Sequence, residues 1–153
     1  MTQRLNYFAV APKALEPMLA IEEQLKTSTL DPLLRDLVKT RASQINGCAY
    51  CLHMHTGDAR KRGESEARLY LLDAWQESAL YTPREKAALA WTESLTLIAE
   101  TRAPDEVFAG VREQFTDEEL ARLTAAIGMI NLWNRIAIGL RYVHPRDTRP
   151  EAA

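Results

Sequence analysis

The dipeptide Asn46-Gly47 constrains this chain more than any other pair of residues. It separates two stretches whose apolar residues fall at helical spacing, and glycine takes the left-handed backbone of a helix terminus without a Cβ clash. Before it, Asp31-Pro32 reads as an N-cap followed by proline at the first helical position, and Leu33, Leu34, Leu37, Val38 and Ala42 carry the helix on. After it no breaker occurs until Gly57, so a second helix is expected over 48–62, stopping at Gly63. Two helices with almost nothing between them fold back as an antiparallel hairpin.

The rest of the chain reads as helix in the same way. Leu15, Met18, Leu19, Ile21 and Leu25 predict a helix over 14–26, with Pro17 tolerated only in its first turn. A short helix is expected over 64–77. Thr82-Pro83-Arg84-Glu85 and Thr116-Asp117-Glu118-Glu119 are capping boxes that open two more, the second being the longest apolar helix and running on through Leu140. Pro104 opens a short helix carrying Val107, Phe108 and Val111. No segment alternates like a strand and no hairpin dipeptide appears. The expectation is an all-α, single-domain bundle spanning 1–153 with about six to seven helices, an irregular arm over 1–12 and a mobile tail over 144–153.

The hairpin carries both cysteines and two of the three histidines. Cys48, Cys51 and His55 stand at i, i+3 and i+7, hence on one helical face. Thiols at a helix N-terminus lie in the positive end of the macrodipole, which favours thiolate. His55 is one turn from Cys51 and within reach of proton exchange with it. His53 is rotated by roughly 200° and points elsewhere. Across the turn, Asp36 falls at nearly the height of His55, about 3 Å apart along the hairpin, so it is the candidate carboxylate to orient that histidine. The competing readings are a zinc site built from Cys48, Cys51 and His55 or His53, a pair of inert buried thiols, and a merely solvated Asp36. Trp75, Trp91 and Trp133 read as core or subunit contacts, and Asn131 and Asn134 as partners for backbone or interface polar groups.

Charge narrows the partners. The formal net charge is −2 with no basic cluster, which argues against nucleic acid. No apolar run approaches a membrane span, and the first residues lack the apolar core of a signal peptide. A cytoplasmic protein is expected, a compartment where a Cys-x-x-Cys pair serves redox or metal chemistry rather than stapling a fold.

Ser43-Gln-Ile-Asn-Gly-Cys-Ala-Tyr-Cys51 with His55, the preceding acidic helix, the stretch Thr82-Pro-Arg-Glu-Lys-Ala-Ala-Leu-Ala-Trp91 and the stretch Asn131-Leu-Trp-Asn-Arg135 together resemble the alkylhydroperoxidase AhpD-like branch of the carboxymuconolactone decarboxylase family. The resemblance implies an all-helical fold assembled as a homo-oligomer, trimer or hexamer; the three tryptophans and the long apolar last helix point to a homo-oligomer as well. It also implies reduction of a hydroperoxide substrate at the expense of a dithiol protein or small thiol, with no metal or organic cofactor. Cys51 would correspond to the attacking thiol, Cys48 to the resolving one and His55 to the relay histidine. The family's relay glutamate falls at position 36, where this chain has Asp, and its histidine between the cysteines is here Tyr50. The dipole favours Cys48 as the thiolate, whereas a positioned base favours Cys51; Cys51 is preferred because the base selects one thiol and the dipole acts on both. Two alternatives remain: a redox-sensing helical oligomer without turnover, and a carbon–carbon lyase of the decarboxylase type, which does not depend on a Cys pair.

Overall fold

A computed structural model describes residues 2–145. Nine α-helices form, joined by one 3-10 turn, with no strand among the described residues: α1 Tyr7–Val10, α2 Pro12–Lys26, α3 Pro32–Asn46, α4 Ala49–Lys61, α5 Glu66–Leu71, α6 Pro83–Thr96, α7 Ile98–Thr101, α8 Asp105–Arg112 and α9 Asp117–Gly139. The all-α reading holds, but the helix count exceeds the expected six to seven. The extra helices are short. Four residues of the arm coil into α1 under an Asn6 cap, and a break at Leu97 detaches α7 from α6. Neither event leaves a periodicity signal long enough to read. Helix α2 begins earlier than expected, with Pro12 in its first turn, so Pro17 lies inside the helix and forfeits the hydrogen bond to the carbonyl one turn back. Residues 146–153 of the expected mobile tail lie outside the described residues.

Local signals place the helix ends. Asp31 caps α3 by accepting the Leu34 amide at 2.9 Å. Thr82 and Thr116 each close a reciprocal capping box with Glu85 and Glu119. Such caps each contribute about 1 kcal/mol. Gly47 ends α3 at φ 69° and ψ 34°. The Gly47 amide donates to the Gln44 carbonyl and the Cys48 amide to that of Ser43, the paired bonds of a Schellman turn that reverses the chain straight into α4.

Helix α3 is the central element, packed on α4, α6 and α9. Its apolar face places Leu34 and Val38 against Trp91, Val111, Phe115, Leu123 and Ile127. Leu37, wholly buried, meets Leu72, Trp75 and Leu89 on another side. Each fully buried leucine contributes roughly 1.5–3 kcal/mol. With apolar contacts on two sides, α3 has one face left for polar residues, and that face carries the candidate site. Among the described residues no helix is long and apolar enough to cross a membrane.

Candidate functional site

Cys48 is the N-cap of α4. Its sulfur accepts the Cys51 backbone amide at 3.3 Å, which satisfies one of the unpaired amides of the first helical turn. Both thiols are free and buried. They pack with Ala42 of α3 and with Ile130 and Ala137 of α9, under Tyr50, Trp133 and Tyr142. Asn134 is wholly buried on α9; its amide donates to Ser43 Oγ at 3.1 Å and its carbonyl accepts from Asn46 at 2.9 Å. It therefore ties α9 to the α3 end of the hairpin. Asn131 accepts from Asn46 and donates to Thr96, as expected of a polar residue on an apolar helix.

A cavity of about 320 Å³ opens beside this cluster. Cys51, His55 and Asp36 all line it, and Cys48 does not. The shared face of the hairpin thus brings three of the four sequence candidates to one cavity and sets the fourth behind Cys51. The expected bond between Asp36 and His55 does not form. Asp36 instead accepts from Arg62 Nη1 at 2.7 Å. No hydrogen bond among the described residues joins His55 to either thiol or to Asp36. The solvated reading of Asp36 also fails, since the residue is 4% exposed. His53 does not line the cavity; it stacks on His144 with ring centroids 5.1 Å apart. Among the described residues no three His, Cys, Asp or Glu side chains are grouped to hold a metal ion.

Charged groups to which the sequence assigned no part in the site complete the polar wall. Arg35 donates to the Leu25 carbonyl at 2.6 Å. Lys39 pairs with Glu22 at 2.6 Å, and both are nearly buried. Glu22 also accepts from the Trp133 indole at 3.0 Å, so Trp133 packs against the core with one face and walls the cavity with another. Arg62 sits at the C-terminal end of α4, far from the cysteines in sequence. The one available signal for it was the unpaired acid at 36 facing the far end of the next helix.

The electrostatics divide the two thiols. Coupling to the Cys51 side chain, helped by the Cys51 amide and Asn134, brings Cys48 down to about 7 against the opposing effect of burial. The same coupling, together with burial, raises Cys51. The two thiols are thus shifted in opposite directions, Cys48 down and Cys51 up. Burial, with the Lys39 charge next, holds His55 at about 3, a neutral imidazole at neutral pH. Burial raises the Asp36 carboxyl, with Arg62 pulling partly the other way.

That last shift has a consequence for stability. A carboxyl raised on folding stabilises below its unfolded value of 3.8 and loses that contribution as pH climbs through the raised value. Asp36→Asn removes the ionisation cost. Its thermal midpoint is expected to match or exceed that of the parent at pH 7, with the gap closing as pH falls below about 4. Differential scanning calorimetry across that range checks it, and a midpoint well below the parent at pH 7 would show that the Arg62 pair is net stabilising.

The profile of the carboxymuconolactone decarboxylase family matches residues 12–94. YdfG of Bacillus subtilis, an uncharacterized protein, is 46% identical over 140 residues, covering 92% of this chain and 95% of YdfG. A solved structure from Agrobacterium tumefaciens, of a protein of unknown function described as a candidate AhpD antioxidant defence protein, superposes with a TM-score of 0.93 at 44% identity, over 95% of this chain and 100% of that one. An uncharacterized peroxidase-related protein from Ralstonia eutropha with an alkylhydroperoxidase AhpD core has the same fold, with a TM-score of 0.78 at 23% identity, over 92% of this chain and 74% of that one.

Proposed function

The chain belongs to the carboxymuconolactone decarboxylase family, and on that premise we propose that it is a thiol peroxidase of the AhpD-like kind, reducing hydroperoxides through a Cys48–Cys51 dithiol–disulfide cycle. The observation that carries the reading is the division of labour in the pair. Cys51 faces the cavity, while Cys48 is the more acidic thiol and is hydrogen-bonded behind it.

The pair shares one proton between the two sulfurs and titrates as a unit. Moving that proton from Cys51 to Cys48 presents thiolate at the cavity wall. Cys51 attacks the terminal oxygen of the hydroperoxide, the O–O bond breaks, and the alkoxide leaves as alcohol on taking the proton that Cys48 holds. Cys51 is then a sulfenic acid. Cys48, again thiolate, attacks the Cys51 sulfur; the S–O bond breaks and hydroxide leaves, becoming water with a proton from solvent. A dithiol protein or small thiol supplies two electrons and two protons and restores the pair. His55, neutral and at the cavity wall, offers one donor and one acceptor to the leaving oxygen. Asp36 acts through Arg62, positioning the end of α4 rather than the imidazole directly.

We assign the protein to a homo-oligomer, trimer or hexamer. Leu95, Ile98, Leu132 and Gly128 line an apolar groove between α6, α7 and α9, and Ile98 and Leu132 remain exposed in the single chain. The lyase alternative leaves the thiol pair without a task.

The test is steady-state consumption of cumene hydroperoxide with dithiothreitol, together with mass spectrometry of protein treated with one equivalent of oxidant. The expected results are sustained turnover and an intramolecular Cys48–Cys51 disulfide. A disulfide without turnover would favour the redox-sensing alternative, and two free thiols after oxidation would overturn both.

A further inference from the structure

We infer that Phe8, carried on the N-terminal arm, is the size gate of the Cys51 cavity: the arm must lift for a bulky substrate to reach the sulfur, so Phe8 sets which hydroperoxides are admitted. The substrate part of this inference rests on the peroxidase reading; the access part does not.

Four aromatic side chains wall the cavity: Phe8, Tyr50, Trp133 and Tyr142. Phe8 stacks on Trp133 with centroids 6.4 Å apart and planes at 4°, and tilts onto Tyr142 at 6.0 Å. Tyr142 meets Tyr50 edge-on at 5.6 Å. Phe8 therefore joins Trp133 of α9 to Tyr142 and, through it, to Tyr50 of the hairpin, completing an aromatic collar along one side of the cavity. Behind that collar Cys51 is 1% exposed, while the cavity beyond it has room for a molecule much larger than hydrogen peroxide.

The members of the collar differ in how firmly they are held. Tyr50 belongs to α4, and Trp133 to α9 with its indole bonded to Glu22. Tyr142 follows a left-handed turn at Arg141 and is tied by its amide to the Ala137 carbonyl. Phe8 sits on α1, which is four residues long and contributes no buried residue. Phe8 itself is 47% exposed. A helix that short has no stability of its own. Two hydrogen bonds tie the arm to the end of α9: the Arg4 amide to the Leu140 carbonyl at 2.9 Å and Arg4 Nη1 to the Gly139 carbonyl at 3.0 Å, both at the surface. An element with exposed hydrogen bonds and few apolar contacts is the first to open locally. The least firmly held member of the collar is thus Phe8, which is also a wall of the cavity.

Two substitutions separate the gate from the rest of the wall. Phe8→Ala removes the ring. Arg4→Pro keeps the ring and removes both anchors of the arm. In each reduced protein the alkylation of Cys51, located by mass spectrometry, is timed with iodoacetamide and with N-(1-pyrenyl)maleimide. A large probe reacts in proportion to the open fraction, so both variants are expected to gain on the order of tenfold with the maleimide. Iodoacetamide should remain near the parent rate. If turnover is present, the ratio of kcat/KM for cumene hydroperoxide to that for hydrogen peroxide rises in the same variants. Unchanged maleimide rates in both variants overturn the gate. A faster maleimide reaction in a protein that turns over neither peroxide retains the gate and removes the peroxidase reading instead.

Discussion

Cys51→Ser is expected to reduce peroxide consumption to the background rate, whereas Cys48→Ser consumes one equivalent and then stalls as a sulfenic acid. The asymmetry follows from position. Cys51 lines the cavity and Cys48 does not, so the attacking sulfur is chosen by access even though Cys48 is the more acidic. Without Cys48 the sulfenic acid has no neighbouring thiol to condense with, and an added dione trap should label Cys51 stoichiometrically. Without Cys51 the remaining thiol has no face on the cavity. Serine approximates the thiol in size, so the α4 cap survives and helix content should be unchanged. Stopped-flow peroxide consumption with mass spectrometry of the trapped adduct checks both variants. Labelling of Cys48 in the Cys51→Ser protein at the parent rate would reverse the two roles.

His55→Ala is expected to lower turnover by about 10²–10⁴-fold, the usual contribution of a positioned proton-transfer group, while His53→Ala stays near the parent rate. His55 lines the cavity and His53 stacks on His144 away from it. The pH profile separates the groups. His55, held at about 3, keeps its charge state from mild acid to mild base. The inflection near neutrality belongs to the thiol pair, with Cys48 at about 7. Below that value the pair is uncharged and unreactive; above it the pair carries one negative charge, so the alkylation rate rises with pH through about 7. His55→Ala should lower the plateau of turnover and leave that inflection in place. An inflection that vanishes in His55→Ala would make the imidazole the titrating group and place its basicity well above what its burial implies.

Much of the site was legible in the chain because its signals are short-range. Gly47 ends α3, Cys48 caps α4 and Thr82 and Thr116 cap their helices through contacts within a few residues. The i, i+3, i+7 spacing of Cys48, Cys51 and His55 follows from helical pitch alone. The hairpin followed from the short joint, and with it the shared height of Asp36 and His55. Those relations hold for any helix of this sequence, whatever surrounds it.

What only the tertiary structure decided is which group each of these residues meets. The partner of Asp36 is Arg62 because the way α3 and α4 lie against each other brings the end of α4 to the carboxylate, and a helical wheel carries no information about that packing. The acidity of the thiols turns on their coupling to each other and, in smaller part, on Asn134, a residue more than eighty positions away in the chain. Phe8 and Trp133 meet over the cavity from opposite ends of the sequence. The physical reason is range: capping and periodicity act over one or two helical turns, whereas burial, which sets the protonation of His55 and Asp36, is a property of everything packed around them.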